Sequence, residues 1–258
     1  MSEWQASLRM LKNPALMQYL LRGVVFTLMI SLVAVALGVA LGSILALTRN
    51  YAVKGKARIF RRIAIIYIEV FRNTPLLLWI FICLVFCPAP KAFNRKMFGL
   101  SSSADGKLLF KATVALVLFT SSVMAEIIRG GLNSVAEGQF EAGHAQGFST
   151  LQIMRYIVLP QAFHHVVPTL LSQMITTIKD SSYLANVAVI ELMARTKQIM
   201  SAANRYNGLG TINVSDVFVL FGLAAAIYFV INYSLSLIVR RMQKKSARPV
   251  RAARGGAI

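Results

Sequence analysis

The sequence predicts an all-α polytopic membrane protein of about five transmembrane helices, with its N-terminus outside and its C-terminus cytoplasmic. Three observations carry that expectation. Of 258 residues, 57% are hydrophobic and only 14% charged, against roughly 25% charged in soluble domains. The run from Gly23 to Leu47 holds no charged residue, and at about 1.5 Å rise per residue a helix of that length exceeds the roughly 30 Å hydrocarbon core. A second clean run, Val217 to Val239, stops against Arg240 and Arg241.

Taken in order, residues 1–20 form a lead-in with Trp4, Arg9, Lys12 and Asn13-Pro14. It reads either as an interfacial amphipathic segment or as a solvated stretch. The first span, 23–47, is too long and starts too late for a signal-peptide core of roughly 7 to 15 residues. The second, 63–87, carries Glu69 and Arg72; the third, 108–128, carries Lys111 and Glu126; the fourth, 166–189, carries Lys179 and Asp180; the fifth is 217–239. Together they make a transmembrane domain over 21–241. The remaining 242–258 is rich in Ala, Gly, Pro and Arg and is expected to be a disordered basic tail.

Orientation follows from basic residues in short loops. Arg49, Lys54, Lys56, Arg58, Arg61 and Arg62 follow the first span, and Arg240, Arg241, Lys244, Lys245, Arg248, Arg251 and Arg254 follow the last. Both groups belong in the cytoplasm. One loop disagrees: Lys91, Arg95, Lys96, Lys107 and Lys111 make the expected external loop basic as well. The formal charge of +19 therefore reads as membrane topology rather than as a nucleic-acid footprint. Cys83 and Cys87 share a helix face with no histidine or acidic cluster at ligand spacing, so neither a metal site nor a disulfide is expected.

The internal loop 137–162 is the most informative stretch. Glu141-Ala142-Gly143-His144-Ala145-Gln146 is a short small-residue helix former, Gly147 supplies a cap or left-handed turn, and Ser149 with Gln152 fits a capping box for a second helix, expected to end at Leu159-Pro160. Ala142, Gly143 and Ala145 would permit close approach of a partner. On spacing alone, docking and an ordinary structured loop both stand.

Ionisable groups inside a membrane are costly and usually face a cavity or a partner. Lys179 and Asp180, with Ser181 and Ser182, are the first candidates for a substrate path, against a structural pair. Thr74-Pro75 puts a hydroxyl beside a helix breaker, and such breaks expose polar backbone; Thr74, Asn73 and Val70 are the second candidates. Glu69 with Arg72, and Glu126 with Arg129, are three apart and read as structural pairs. His144, His164 and His165 lie away from the expected midplane.

Several motifs resemble one family. Glu141, Ala142, Gly147, Ile157, Leu159 and Pro160 fall on the EAA signature of ATP-binding-cassette importer permeases, with Gly143 replacing its second alanine. Phe71-Arg72-Asn73-Thr74-Pro75-Leu76, Glu126-Ile127-Ile128-Arg129-Gly130-Gly131-Leu132 and Lys179-Asp180-Ser181-Ser182 resemble, in order, motifs of its polar amino-acid branch, covering about Gly23 to Arg241. The resemblance implies a type I importer fold in a bacterial inner membrane. It makes 137–162 a coupling loop, with Glu141, Ala142, Gly143, His144, Ala145 and Gly147 as the ATPase-docking set. It also implies a partner ATP-binding subunit dimer that carries the ATP and Mg, a second permease copy or sister chain, and a periplasmic or surface solute-binding protein.

No G-x-x-x-x-G-K-[ST] is present, and no Ser/His/Asp set or paired carboxylates mark an enzyme. No catalytic residue and no cofactor are therefore expected in this chain. Two other readings stand beside the importer: an ion-coupled secondary carrier using Lys179, Asp180 and Glu126 as a proton relay, and a receptor or scaffold. The cationic Lys179 leans the solute toward glutamate, aspartate or glutamine, and Asp180 beside it blunts that lean.

Overall fold

A computed structural model describes residues 2–53, 55–94 and 103–246, and no strand occurs among them. Helix α1 (Glu3–Met10) opens on a capping box in which the Gln5 N–H donates to Ser2 Oγ and the Ser2 N–H donates to Gln5 Oε1. Helix α2 (Pro14–Tyr51) starts with proline at its first position, where the missing donor costs nothing. Then follow α3 (Ala57–Arg72), α4 (Leu76–Phe86), a 3-10 turn (Lys91–Asn94), α5 (Ser103–Asn133), α6 (Gly138–Ala145), α7 (Thr150–Ile153), a π turn (Met154–Val158) and α8 (Leu159–Asp180). A 3-10 segment (Ser181–Val187), α9 (Leu192–Ser201), α10 (Ala203–Tyr206) and α11 (Val214–Ser246) complete the order.

Among the described residues three helices are long and apolar enough to cross a membrane, within α2, α5 and α11; α3 and α4, bent by 112° at the break between them, add a fourth if the pair is one broken span. The expected second span is not one rod. Pro75 lacks an N–H and disfavours α geometry at the residue before it, so the helix stops at Arg72 and restarts at Leu76. The expected fourth span also differs. Its helix begins at Leu159 and ends at Asp180, where serine hydroxyls compete for backbone groups: Ser181 Oγ donates to Ile178 O at 2.8 Å. With two glutamines, two histidines, Lys179 and Asp180, α8 is more polar than the other spans. Helix α11 runs into the expected tail as far as Ser246; 247–258, with Lys54, Arg95 and Lys96, lie outside the described residues.

The chain forms two compact units. The first comprises Met1–Ala34, Pro75–Val117 and Thr176–Tyr233. Its core joins Met10, Leu16, Leu20, Leu192, Ile199 and Leu220, so α1, α9 and α11 close around the start of α2. The lead-in is thus docked: Ser7 Oγ donates to Asp216 Oδ1 at 2.5 Å, and the Trp4 ring lies 6.1 Å from Phe218.

The second unit comprises Val35–Thr74, Leu118–Ile175 and Ser234–Ile258. Here α2 and α5 approach closely. A Cβ on Gly42 would sit 2.9 Å from both Ala125 N and Ser121 O, which are backbone atoms that cannot swing aside. Small residues at membrane helix contacts permit such packing. Gly42→Val is expected to destabilise the protein by about 1–3 kcal/mol, read as a lower thermal midpoint in detergent. Gly222→Val, at a site with nothing within 4 Å, serves as the control; equal loss in both would refute the contact. Helix α3 joins the same layer through Tyr67, whose hydroxyl donates to Leu118 O at 2.9 Å.

Candidate functional site

The loop 137–162 folds as a hairpin within the second unit. Helix α6 ends in a Schellman motif: the Phe148 N–H donates to Gly143 O at 3.0 Å and the Gly147 N–H donates to His144 O at 2.9 Å. That turn requires φ of +82° at Gly147, a conformation glycine adopts without a Cβ penalty. The next helix opens on the anticipated capping box, with the Ser149 N–H donating to Gln152 Oε1 at 2.8 Å and the Gln152 N–H to Ser149 Oγ at 3.4 Å.

Two details differ from expectation. The second helix does not end at Leu159-Pro160. It passes through the π turn Met154–Val158 into α8, and the wider turn accommodates a proline that lacks the donor and would crowd the carbonyl four residues earlier. Gly143 does not face a partner either. It is buried against Ile153, whose Cγ1 would lie 2.7 Å from an added Cβ. The close approach it permits is between α6 and the chain's own next helix, which leaves Glu141, Ala142, His144, Ala145 and Gly147 exposed. From the π turn onward, Arg155, Leu159, Pro160, Phe163 and His164 line an open apolar groove of about 380 Å³.

The break after α3 uses its polar side chains locally. Thr74 Oγ1 donates to Val70 O at 2.6 Å, and Asn73 Nδ2 donates to Glu69 O at 2.8 Å. Both bond carbonyls in the last turn of α3, and Glu69 O also accepts the Asn73 N–H at 3.1 Å. Val70 is exposed.

One turn away lies a charge cluster that short spacing only half reveals. The Arg129–Glu126 pair is bidentate, with Nε 3.0 Å from Oε1 and Nη2 2.9 Å from Oε2. Arg49 from α2 donates to Glu126 Oε1 at 2.7 Å, and Arg72 from α3 lies 3.5 Å from Oε2. Glu126 therefore ties α2, α3 and α5 together. Glu69 stands 3.3 Å from Arg49, not in the expected pair with Arg72.

Lys179, Asp180, Ser181 and Ser182 lie in the first unit, at the end of α8 and the start of the 3-10 segment. Lys179 is exposed, Asp180 half-buried and Ser181 buried. The 3-10 segment touches both α4 and α9 and closes on Ala188 at φ 57°, a left-handed residue without the glycine that usually permits it. The two candidate groups for a substrate path thus belong to different units: Val70, Asn73 and Thr74 to the second, Lys179 to Ser182 to the first.

Two buried polar clusters of the first unit escaped the sequence reading. Glu191, fully buried, caps α9 by accepting from the Ala194 N–H at 2.6 Å, and also accepts from the Tyr228 hydroxyl at 2.9 Å. Arg195, one turn on, donates to Tyr19 O at 3.0 Å and lies 4.2 Å from the Tyr19 ring centre. Asp216 organises the other cluster. Glutamate is not among the residues preferred at a helix N-cap, and nothing in one sequence points Glu191 to Tyr228.

Residues 38–248 match the family described as "Binding-protein-dependent transport system inner membrane component". The "Probable glutamine ABC transporter permease protein GlnP" of Bacillus subtilis is 34% identical over 225 residues, 87% of this chain and 92% of the relative. The "Glutamate/aspartate import permease protein GltK" of Escherichia coli O6:H1 is 34% identical over 236 residues, 89% of this chain and 94% of the relative. Among solved structures, an amino acid ABC transporter crystallised with histidines superposes with a TM-score of 0.70 at 27% identity, covering 89% of this chain and 94% of that one. An inward-facing methionine ABC transporter shares the fold, with a TM-score of 0.62 at 22% identity over 89% of this chain and 99% of that one.

Proposed function

Because the chain belongs to the binding-protein-dependent transport system inner membrane components, and is thus a multi-pass transport subunit rather than an enzyme, we propose that it imports polar amino acids by ATP-driven alternating access across a bacterial inner membrane. Glutamine, glutamate and aspartate are the leading solutes, since relatives are named for them and Lys179 offers an exposed cation.

The observation that carries the reading is the hairpin from Glu141 to Pro160. A Schellman turn and a capping box hold it rigid, the close contact at Gly143 is turned inward, and its exposed face presents Glu141, Ala142, His144 and Ala145. A loop built so is suited to receive a push from an ATP-binding subunit. ATP binding would close an ATPase dimer, the hairpin would transmit that movement, and a second permease copy or sister chain would complete the path. A solute-binding protein delivers the amino acid, and hydrolysis resets the inward state. ATP and Mg belong to the ATPase, since this chain carries no phosphate-binding motif.

The test is copurification with the ATP-binding subunit from detergent-solubilised membranes. Glu141→Lys and Gly147→Asp are expected to lose the ATPase while remaining inserted. An aspartate at φ +82° has a Cβ and destabilises the turn by about 1 kcal/mol or more. Uptake that persists without any ATPase would instead support an ion-coupled carrier.

A further inference from the structure

One hydroxyl in the first unit joins elements that the transport reading leaves unconnected. Tyr228, inside the apolar run of α11, donates to Glu191 Oε2 at 2.9 Å, and its hydroxyl also meets the side-chain hydroxyls of Thr27 and Ser181. Thr27 Oγ1, on α2, donates to the same Glu191 Oε2 at 3.3 Å and accepts the Leu192 N–H at 3.1 Å. The other carboxylate oxygen, Oε1, takes the Ala194 N–H at 2.6 Å. Thr27, Ser181 and Glu191 are all fully buried. The carboxylate thus has two separate roles: one oxygen caps α9, and the other is turned toward α2 and α11.

A buried carboxylate is costly to keep in a membrane protein. Among the described residues no lysine or arginine stands within ion-pair distance of this one. Capping alone does not account for it either, because a serine, threonine or asparagine caps a helix with one oxygen. The second oxygen serves the backbone that leads into α9. Ser181–Val187 is a 3-10 segment, Ala188 follows at φ 57°, and the Glu191 N–H donates to Val189 O at 2.8 Å. A left-handed residue with a Cβ persists only where its surroundings over-determine it. Tyr228 supplies that constraint at both ends, meeting Ser181 where the strap begins and Glu191 where it ends. On the far side α9 is seated against α2, since a Cβ on Gly23 would lie 2.9 Å from Leu192 Cα. Immediately before the strap, in the last turn of α8, stand Asp180 and the exposed Lys179.

We infer that Tyr228 is a positioning residue of the solute path: by holding Ser181 and Glu191 with one hydroxyl it fixes the strap, and with it the turn of α8 that presents Lys179 to the amino acid. Tyr228, Glu191 and Thr27 act through the lysine and do not touch the solute. The inference rests on the importer reading above and on Lys179 as its cationic contact.

The experiment uses the assembled importer in proteoliposomes, with its ATPase and the solute-binding protein that supports glutamine or glutamate uptake through it. Tyr228→Phe keeps the ring and removes the hydroxyl. It should lower ATP-dependent uptake by about tenfold, the scale of loss that a misplaced binding group produces, while ATPase copurification and the thermal midpoint stay near the wild type. A double-mutant cycle with Lys179→Ala separates positioning from stability. Because the hydroxyl acts through the lysine, Tyr228→Phe should change the residual uptake of Lys179→Ala by less than about twofold, whereas a residue that only stabilises the fold would multiply the two losses. Should Tyr228→Phe fail to assemble, Glu191→Gln is read the same way: its amide oxygen keeps the cap on Ala194, and its NH2 group removes the acceptor that faces Tyr228. Unchanged uptake in an assembled variant overturns the inference, as do multiplied losses in the cycle or full uptake in Lys179→Ala. Failure of both variants to assemble overturns it too, by making the cluster a folding element. A wild-type complex without ATP-dependent uptake would instead remove the importer reading itself, and the inference with it.

Discussion

Glu126→Ala is expected to be the most damaging single change in the second unit. It would cost about 2–4 kcal/mol of stability and most of the protein recovered from the membrane. The side chain is 14% exposed and stands within ion-pair distance of Arg49, Arg72 and Arg129. Removing it leaves three guanidinium groups converging on an uncharged methyl, and stripping one partner from a buried ion cluster typically costs about 3–5 kcal/mol. The lower figure is used because the arginines are 21%, 40% and 31% exposed, so water screens part of their repulsion. Thermal midpoints of detergent-purified variants would measure it. Arg49→Met added to Glu126→Ala should recover part of the loss, since the second change removes one stranded cation. Additive losses would show that Glu126 acts alone rather than as the hub of the cluster.

The same cluster shows how much of this protein was legible in its sequence. Glu126–Arg129 could be read from a spacing of three. Arg49 and Arg72 are 77 and 54 positions from Glu126, and only packing of α2 and α3 onto α5 brings them in. The Gly147 turn and the Ser149–Gln152 box were likewise legible, because a cap is decided by residues within one turn of it. The misread details depended on tertiary contact or on a rarer local geometry. Small residues at 142, 143 and 145 predict close approach of a partner, whereas the space beside Gly143 is filled by Ile153 of the same chain. Pro160 predicts a stop, the usual consequence of a missing donor, whereas the π turn before it carries the helix on into α8. Asn73 and Thr74 read from the sequence as candidates for a substrate path beside the break at Pro75, and their side chains bond the last-turn carbonyls of Glu69 and Val70. The bond between Ser7 and Asp216 gave no local signal, since the two lie 209 positions apart.

Lys179→Ala is expected to reduce uptake by about two orders of magnitude, while copurification with the ATPase remains. A buried amide or carboxylate recognised by a charged donor loses roughly that factor when the donor goes. The alternative is a structural Lys179–Asp180 pair, and the geometry supplies the discrimination. Neighbouring residues on a helix do not face each other, and Lys179 is exposed while Asp180 is half-buried, so the lysine remains available to something outside the folded chain. Lys179→Arg keeps the charge and should retain much of the uptake, with a shifted half-saturation; Lys179→Met keeps the length and should not. If the lysine meets the solute's side-chain carboxylate, Lys179→Ala should discriminate against glutamate more than glutamine in competition uptake. Equal loss for both would place the contact at the α-carboxylate that the two share. Full uptake in Lys179→Ala would remove the residue from the path, and loss of the ATPase alongside uptake would make it a structural residue of the helix end.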